Sequence, residues 1–358
     1  MTTAAELKTL YHKGKKRKIL AMLLVFIALI IVILVSISLG AGSPRFSEAM
    51  QVISAKLFPF LNLDPGLDMT QTIVWTIRFP RVILAVVAGA GLAAAGATMQ
   101  GVLRNPLVSS YILGVSAAAG FGASLAVILG FGVITFAGGY LIVGNAFIFC
   151  LIALVLVYSI ARLRGMSPET VILAGVAISL LFSALLSLIQ YIAPDRDAVT
   201  AIIFWLMGGL NGATWERILI CTPIVAVVSV LMVQQSWNIN VMSMGADVAK
   251  SLGVNSKRLL AINMLLETLA TASIVAFTGV IGFVDLIAPH IARMLLGSDH
   301  RYLIPCSMLV GALVLLSADT VGRLIIAPSE LPVGIVTSLL GVPFFIYLLV
   351  NRRRQSFH

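Results

Sequence analysis

The chain has 358 residues, of which 60% are hydrophobic and only 11% charged, with a mean hydropathy of +1.07. Soluble domains hold about 45–50% apolar and about 25% charged residues, so this composition excludes a soluble protein and marks an integral membrane one. The net charge of +10 is not a nucleic-acid signal, because the surplus lies in short clusters beside apolar runs: Lys13 to Lys18, Arg162 and Arg164, Lys257 and Arg258, Arg352 to Arg354.

A spanning helix needs about 20 residues, so the length allows on the order of ten spans and leaves no room for a large soluble domain. Residues 1–18 read as a basic cytoplasmic N-terminus, 19–350 as one transmembrane domain, and 351–358 as a cytoplasmic tail. The apolar run from Ile19 to Leu39 exceeds a signal-peptide core of about 7–15 residues and is taken as a retained first span. Residues 40–72, with Pro44, Pro59 and Pro65, read as a mostly polar external loop.

The second span, about 78–101, returns inward. Gly89, Ala93, Ala97 and Gly101 recur every fourth residue, which lays a small-residue seam along one helical face. That seam suits either close helix packing or a pore wall. Arg78 and Arg81 stand at its external end, and Arg104-Asn105-Pro106-Leu107 ends it. Pro106 breaks the helix and Asn105 can satisfy freed backbone groups, either as a plain turn or as a constriction at an inner mouth.

Spans three (about 109–131), four (about 138–161) and five (about 168–192) follow, and residues 201–215 read as a re-entrant or interfacial segment. Span six covers about 217–235. Residues 236–258 form the one cytoplasmic connection long enough to fold, with a short helix from Ala246 to Leu252, a stop at Gly253 and a cap at Asn255. It is either a surface loop or a helix–Gly–helix knob shaped for a cleft on a partner.

Span seven is about 259–280. The piece from Gly282 to Leu296 is short and interrupted by Pro289, which suggests a broken span eight; spans nine (about 302–326) and ten (about 332–350) close the set. With the N-terminus inside, every basic cluster falls on the cytoplasmic side.

No phosphate-binding loop, metal cluster or catalytic constellation is present, and Cys150, Cys221 and Cys306 read as small buried hydrophobes. Glu267, Asp285 and Asp319 are costly inside spans. They read either as a proton track or as structural carboxylates paired with an arginine such as Arg293 or Arg323.

Several motifs now align in order: RFPR with Gly96, Met99, Gln100 and RNPL; FWLMGGLNGATW; AKSLGV followed by Lys257 and Arg258; GFVDLIAPHIARMLLGSDHR; LSADTVGRL; and SELPVGIVTSLLGVPFFIYLL. From about Ile73 to Val350 the chain resembles the FecCD-type permeases of type II ATP-binding-cassette (ABC) importers, which carry ferric siderophores, haem and cobalamin. The resemblance implies an all-α fold of about ten helices, a homodimer or paralogous heterodimer in lipid, two cytoplasmic ATPases that hold ATP and Mg, and an external substrate-binding protein. It implies no cofactor on this chain, no enzyme activity of its own, and a prokaryotic cytoplasmic membrane with both termini inside. Carried over by position, it assigns binding-protein docking to Arg78, Arg81 and Arg323. ATPase coupling falls to Ala246, Asp247, Ala249, Lys250, Ser251, Leu252 and Gly253. A cytoplasmic gate or pore falls to Met99, Gln100, Asn105, Leu107 and Ser167. Two departures stand out: Ser167-Pro168-Glu169-Thr170 only partly keeps a second gate element, and Asp285 replaces the family's usual Gly. The implied function is passage of ferric siderophore or haem by alternating access, with a cobalamin permease or a proton-coupled carrier as rivals.

Overall fold

The computed structural model describes residues 4–40, 44–61, 64, 66–130 and 140–351. Its helices are α1 (Ala4–Ser38), α2 (Phe46–Leu57), α3 (Asp68–Gln71), α4 (Phe79–Val102), α5 (Val115–Leu129), α6 (Leu141–Leu163), α7 (Pro168–Tyr191), α8 (Arg196–Leu206), α9 (Trp215–Gln234), α10 (Ser236–Ser243), α11 (Ala246–Ser251), α12 (Ser256–Thr278), α13 (Val284–Leu296), α14 (His300–Leu324) and α15 (Val333–Asn351). Among the described residues, seven helical stretches are long and apolar enough to cross a membrane, and α5 and α15 are shorter apolar helices. With the 13-residue α13 they make the ten-helix bundle.

The seam helix α4 lies at the centre. In its most apolar stretch 78% of residues are buried, as in α12, against 11% in the peripheral α1. Gly89 and Gly311 explain how α4 crosses α14: a methyl group on either glycine would overlap the other's carbonyl oxygen, and Ala93 fills the next position of the same crossing. Ala97 is fully buried too. The small-residue seam is therefore a packing surface inside the subunit, and the pore-wall alternative does not hold for it.

Three expectations need correction. Residues 46–57 are helical rather than loop, because Glu48 accepts the backbone N–H of Arg45 (3.0 Å) at the helix start and Ala49 and Val52 are buried. The second span begins before residue 78: α3 runs through a π-helical turn, Thr72–Arg78, into α4. Pro80 lacks an N–H and its ring would crowd an α-helical carbonyl, and the wider turn before it accommodates this, with Phe79 N–H reaching Val74 O. Span eight is not interrupted at Pro289. The carbonyl that Pro289 cannot use, Asp285 O, accepts the Gln100 side-chain amide instead (3.3 Å), and Gly96 lets α4 come close enough to supply it. The break lies earlier, at residues 279–283, where Gly279 and Phe283 both take φ of +68°.

The re-entrant segment is a half-helix that starts earlier than expected, at Arg196, where Asp195 accepts the N–H of Ala198 (2.7 Å). Its turn is shielded by protein, since Gly209 N–H donates to Thr278 O (2.7 Å) and Gly208 lies against Val280. Backbone at this depth is satisfied by the broken α12–α13 connection.

Candidate functional site

Two ends of the bundle carry polar machinery. At the first end, α11 forms from Ala246–Ser251 and stops at Leu252, and Gly253 takes φ of +80° to turn the chain. Asn255 then caps α12 by accepting the N–H of Arg258 (3.0 Å). The expected helix–Gly–helix knob is present. Ala249 anchors it with full burial, while Asp247, Lys250, Ser251, Leu252 and Gly253 are exposed; the Ala246 side chain lies outside the described residues. Trp237, Met244, Val248 and Leu252 are also exposed there, an apolar surface on an otherwise polar connection.

Behind the knob, Asn240 of α10 meets the start of α14. Its amide donates to Asp299 Oδ1 (2.7 Å), and its Oδ1 accepts from His300 N–H (2.9 Å) and pairs with His300 Nδ1 (2.8 Å). Asp299 also caps α14 through Arg301 N–H (3.1 Å) and pairs with the Arg301 guanidinium (2.8 Å). Hydrogen bonds from Arg301 first, and from Asn240 after it, outweigh burial and hold the Asp299 carboxyl at about 2. Lys18 lies over the Tyr302 ring at 4.9 Å, which puts the basic start of α1 at this same end.

The turn after α4 is also here. Arg104 adopts φ of +50°, and Asn105 Oδ1 accepts Leu107 N–H (3.0 Å), so Asn105 satisfies the backbone around Pro106 as expected. Asn105 and Leu107 are half-buried, as is Ser167, whose Oγ caps α7 through Thr170 N–H (3.2 Å) and meets Thr170 Oγ1 (3.0 Å). Met99 and Gln100 are placed differently from the gate expectation: they are 1% and 2% exposed, facing the subunit interior. Besides Asp285 O, Gln100 binds Arg293 Nη2 through its Oε1 (3.2 Å).

Midway along the bundle, the break before α13 is tied to the loop after α4. Asp285 Oδ2 accepts Ser110 N–H (2.8 Å) and Ser110 Oγ–H (2.7 Å). Next to it, Tyr111, Met207, Val280, Gly282, Ile335 and Ser338 line an open cavity of about 310 Å3. Among the described residues, Glu267 shares no hydrogen bond with the Ser110–Asp285 pair and accepts from the Thr268 and Thr271 hydroxyls (both 3.2 Å).

At the opposite end the three arginines converge, all at most 7% exposed. Arg78 Nη1 donates to Ile37 O (2.8 Å) and Ser38 O (3.0 Å). Arg323 donates to Ser36 O (3.1 Å), Ser36 Oγ (2.7 Å) and Leu39 O (3.1 Å). Two guanidinium groups thus cap the orphan carbonyls at the end of α1 and complement its negative dipole. Arg81 binds Asp319 through Nε and Nη2 and reaches Glu330 through Nη1 (2.7 Å). Arg323 Nε lies 3.2 Å from Asp319 Oδ2.

In this conformation the three arginines assigned to binding-protein docking are engaged within the chain. Glu267, Asp285 and Asp319 have separate partner sets, with no shared hydrogen bond among the described residues. The structural alternative is the one this geometry favours for Asp319, which pairs with Arg323 as anticipated and with Arg81.

The architecture matches known transporters. The FecCD transport family model matches residues 28–351. This chain belongs to that family. It is 38% identical over 346 residues to the Fe(3+)-citrate import system permease protein of Bacillus subtilis, covering 96% of this chain and 98% of that one. It is 37% identical over 335 residues to the molybdate import system permease protein of Haemophilus influenzae, covering 94% and 95%. A solved structure described as a metal-chelate type ABC transporter in an inward-facing conformation superposes with a TM-score of 0.80 at 34% identity, covering 92% of this chain and 98% of that one. The chain is therefore an ABC importer permease subunit of the FecCD family, a membrane transport component rather than an enzyme.

Within this FecCD permease, two features escaped sequence reasoning. Asn240 and His300 are 60 residues apart; His300 lies in the GFVDLIAPHIARMLLGSDHR motif, but Asn240 belongs to no quoted motif, and nothing local pairs the two. The Ser110–Asp285 bridge had one visible signal, the carboxylate at a position where the family usually has Gly.

Proposed function

We propose that this permease passes a ferric chelate, a siderophore or haem complex, across the cytoplasmic membrane as half of a dimer, driven by two ATPases and fed by an external binding protein. The observation that carries the partner assignment is the exposed α11–Gly253–α12 knob on a FecCD-family bundle, with Leu252 62% exposed and Ala249 fixed below it. An apolar side chain so exposed on a short, capped connection suits insertion into a cleft of a cytoplasmic partner.

The orientation follows from charge: the knob, Arg104, Arg162, Arg164 and the Lys15–Lys18 cluster share the first end, which is then cytoplasmic by the positive-inside trend. By the same charge argument, both chain termini are proposed to lie on that side. The outer end then holds Arg78, Arg81, Arg323 and Glu330. Its proposed role is to receive the binding protein, with Glu330, side chain 35% exposed, at its rim and the arginines acting from beneath. Asn105, Leu107 and Ser167 are proposed as the cytoplasmic gate, since they are half-buried at the inner ends of α4 and α7. ATP and Mg reside on the ATPases; the permease supplies two conformational states whose unequal affinity for the closed ATPases biases transport.

Iron chelate is favoured because the Fe(3+)-citrate relative matches over nearly its whole length and the solved neighbour is described as of metal-chelate type. Molybdate is the second reading, from the Haemophilus relative. The partner binding protein, purified with its native cargo, separates them. An iron–chelate or haem absorption band supports the proposal; a corrinoid spectrum or molybdenum by elemental analysis overturns it.

A further inference from the structure

Asn240, His300 and Asp299 form a closed hydrogen-bonded chain that joins the segment just before the knob to the α13–α14 turn. The Asn240 amide nitrogen is committed to Asp299, so its oxygen faces His300 and takes two hydrogen bonds there, from the backbone N–H and from the ring. An acceptor opposite Nδ1 requires the ring proton on Nδ1. Nε2 is then bare; it is buried against Gly101 of α4 and has no partner. A buried unpaired imidazole nitrogen costs stability, and each such group calls for an explanation.

The place of the chain in the fold supplies one. Segment α10 leads through Gly245, at φ of +121°, directly into α11. It touches the transmembrane helices in two ways. Ile239 packs against Gly101 at the end of α4, a non-directional apolar contact that can slide. Asn240 holds the first residues of α14 by directional bonds, which break rather than slide. A displacement of α11 reaches α14 through the second attachment.

We infer that Asn240 and His300 are positioning residues of transport: they latch α10 to the α13–α14 turn, so that movement at the knob and movement of α14 are one event. The latch rests on the importer reading above and adds to it a route through the permease. Contiguity alone does not establish coupling, so the test must read coupling itself.

The test is ATP hydrolysis by the permease–ATPase complex in lipid nanodiscs, with and without the binding protein purified with its native cargo. Asn240→Ala and His300→Leu should keep unstimulated hydrolysis while stimulation by the binding protein falls by about fivefold or more, the lower end of typical site-to-site couplings. His300→Asn, whose side-chain amide restores a donor near the Nδ1 position, should retain stimulation. The double variant should be no worse than either single one, because both remove the same link. Retained stimulation in Asn240→Ala and His300→Leu overturns the latch. Equal loss of unstimulated hydrolysis in all variants overturns it as well, and assigns a purely structural role. Should His300→Leu fail to assemble, Asn240→Ala decides by the same readout. Absence of stimulation in the unmodified complex overturns the importer reading itself.

Discussion

Arg81 and Asp319, from α4 and α14, meet side-on: Arg81 Nη2 and Nε lie 2.8 and 3.0 Å from Asp319 Oδ1. The Asp319 side chain is 1% exposed and also neutralises Arg323. Removing one partner of such a buried pair typically costs about 3–5 kcal/mol, because the other charge is left uncompensated. Asp319→Ala is expected to destabilise the purified permease by that margin, read as a lowered thermal unfolding midpoint. Arg81→Met combined with Asp319→Leu should recover part of the loss. A carboxylate that carried protons instead would show a transport defect without a stability defect.

The α4–α14 crossing at Gly89 and Gly311 admits no side chain on either face. Gly311→Val is expected to destabilise by at least about 1–3 kcal/mol, the usual cost of overpacking, because backbone rather than a movable side chain opposes it. Thermal unfolding in detergent would check this, and an unchanged midpoint would mean the helices can separate freely.

Much of the bundle is legible from the sequence because hydropathy and small-residue spacing are local properties. The Asn255 cap and the Gly253 stop are equally local, and both lie where the chain signals them. The arginines show the limit. Sequence position puts Arg78 and Arg323 at the outer end, but only the fold brings them onto the α1 carbonyls of residues 36–39, about 40 and 284 positions away. Pro289 likewise reads as an interruption until Gln100, on another helix, supplies the missing donor. Segment 46–57 escaped because a short amphipathic helix with polar flanks looks like loop when only apolar run length is counted.

Glu330 occupies Arg81 Nη1 at the end proposed to face outward. If that end receives the binding protein through carboxylates, Glu330 competes with them. Glu330→Gln is then expected to tighten docking by about 0.2–1 kcal/mol, the scale of a partly exposed ion pair, which is on the order of a few-fold in Kd. Surface plasmon resonance of the binding protein on the nanodisc-embedded importer would read it. Weaker docking would place Glu330 itself at the contact.

Asp299, held at about 2 by Arg301 and Asn240, has a folded-state value below its ordinary one of 3.8. A depressed carboxyl contributes stability that is present above its unfolded value and is lost as pH falls from about 4 toward about 2. Asp299→Ala, which removes a helix cap, should therefore cost about 1 kcal/mol, and equally at every pH from 5 to 8. Unfolding midpoints across that range would check it; a cost that shrinks toward pH 5 would contradict it.

Under the proposed function, transport through this chain is driven by ATP on partner subunits and not by its own buried carboxylates. Proteoliposomes containing the permease with or without its ATPases, supplied with the cargo-loaded binding protein, test it most directly. Uptake is expected only with the ATPases and ATP, and it should be unchanged when a pH gradient is imposed. Uptake driven by a pH gradient alone in ATPase-free vesicles would contradict the account.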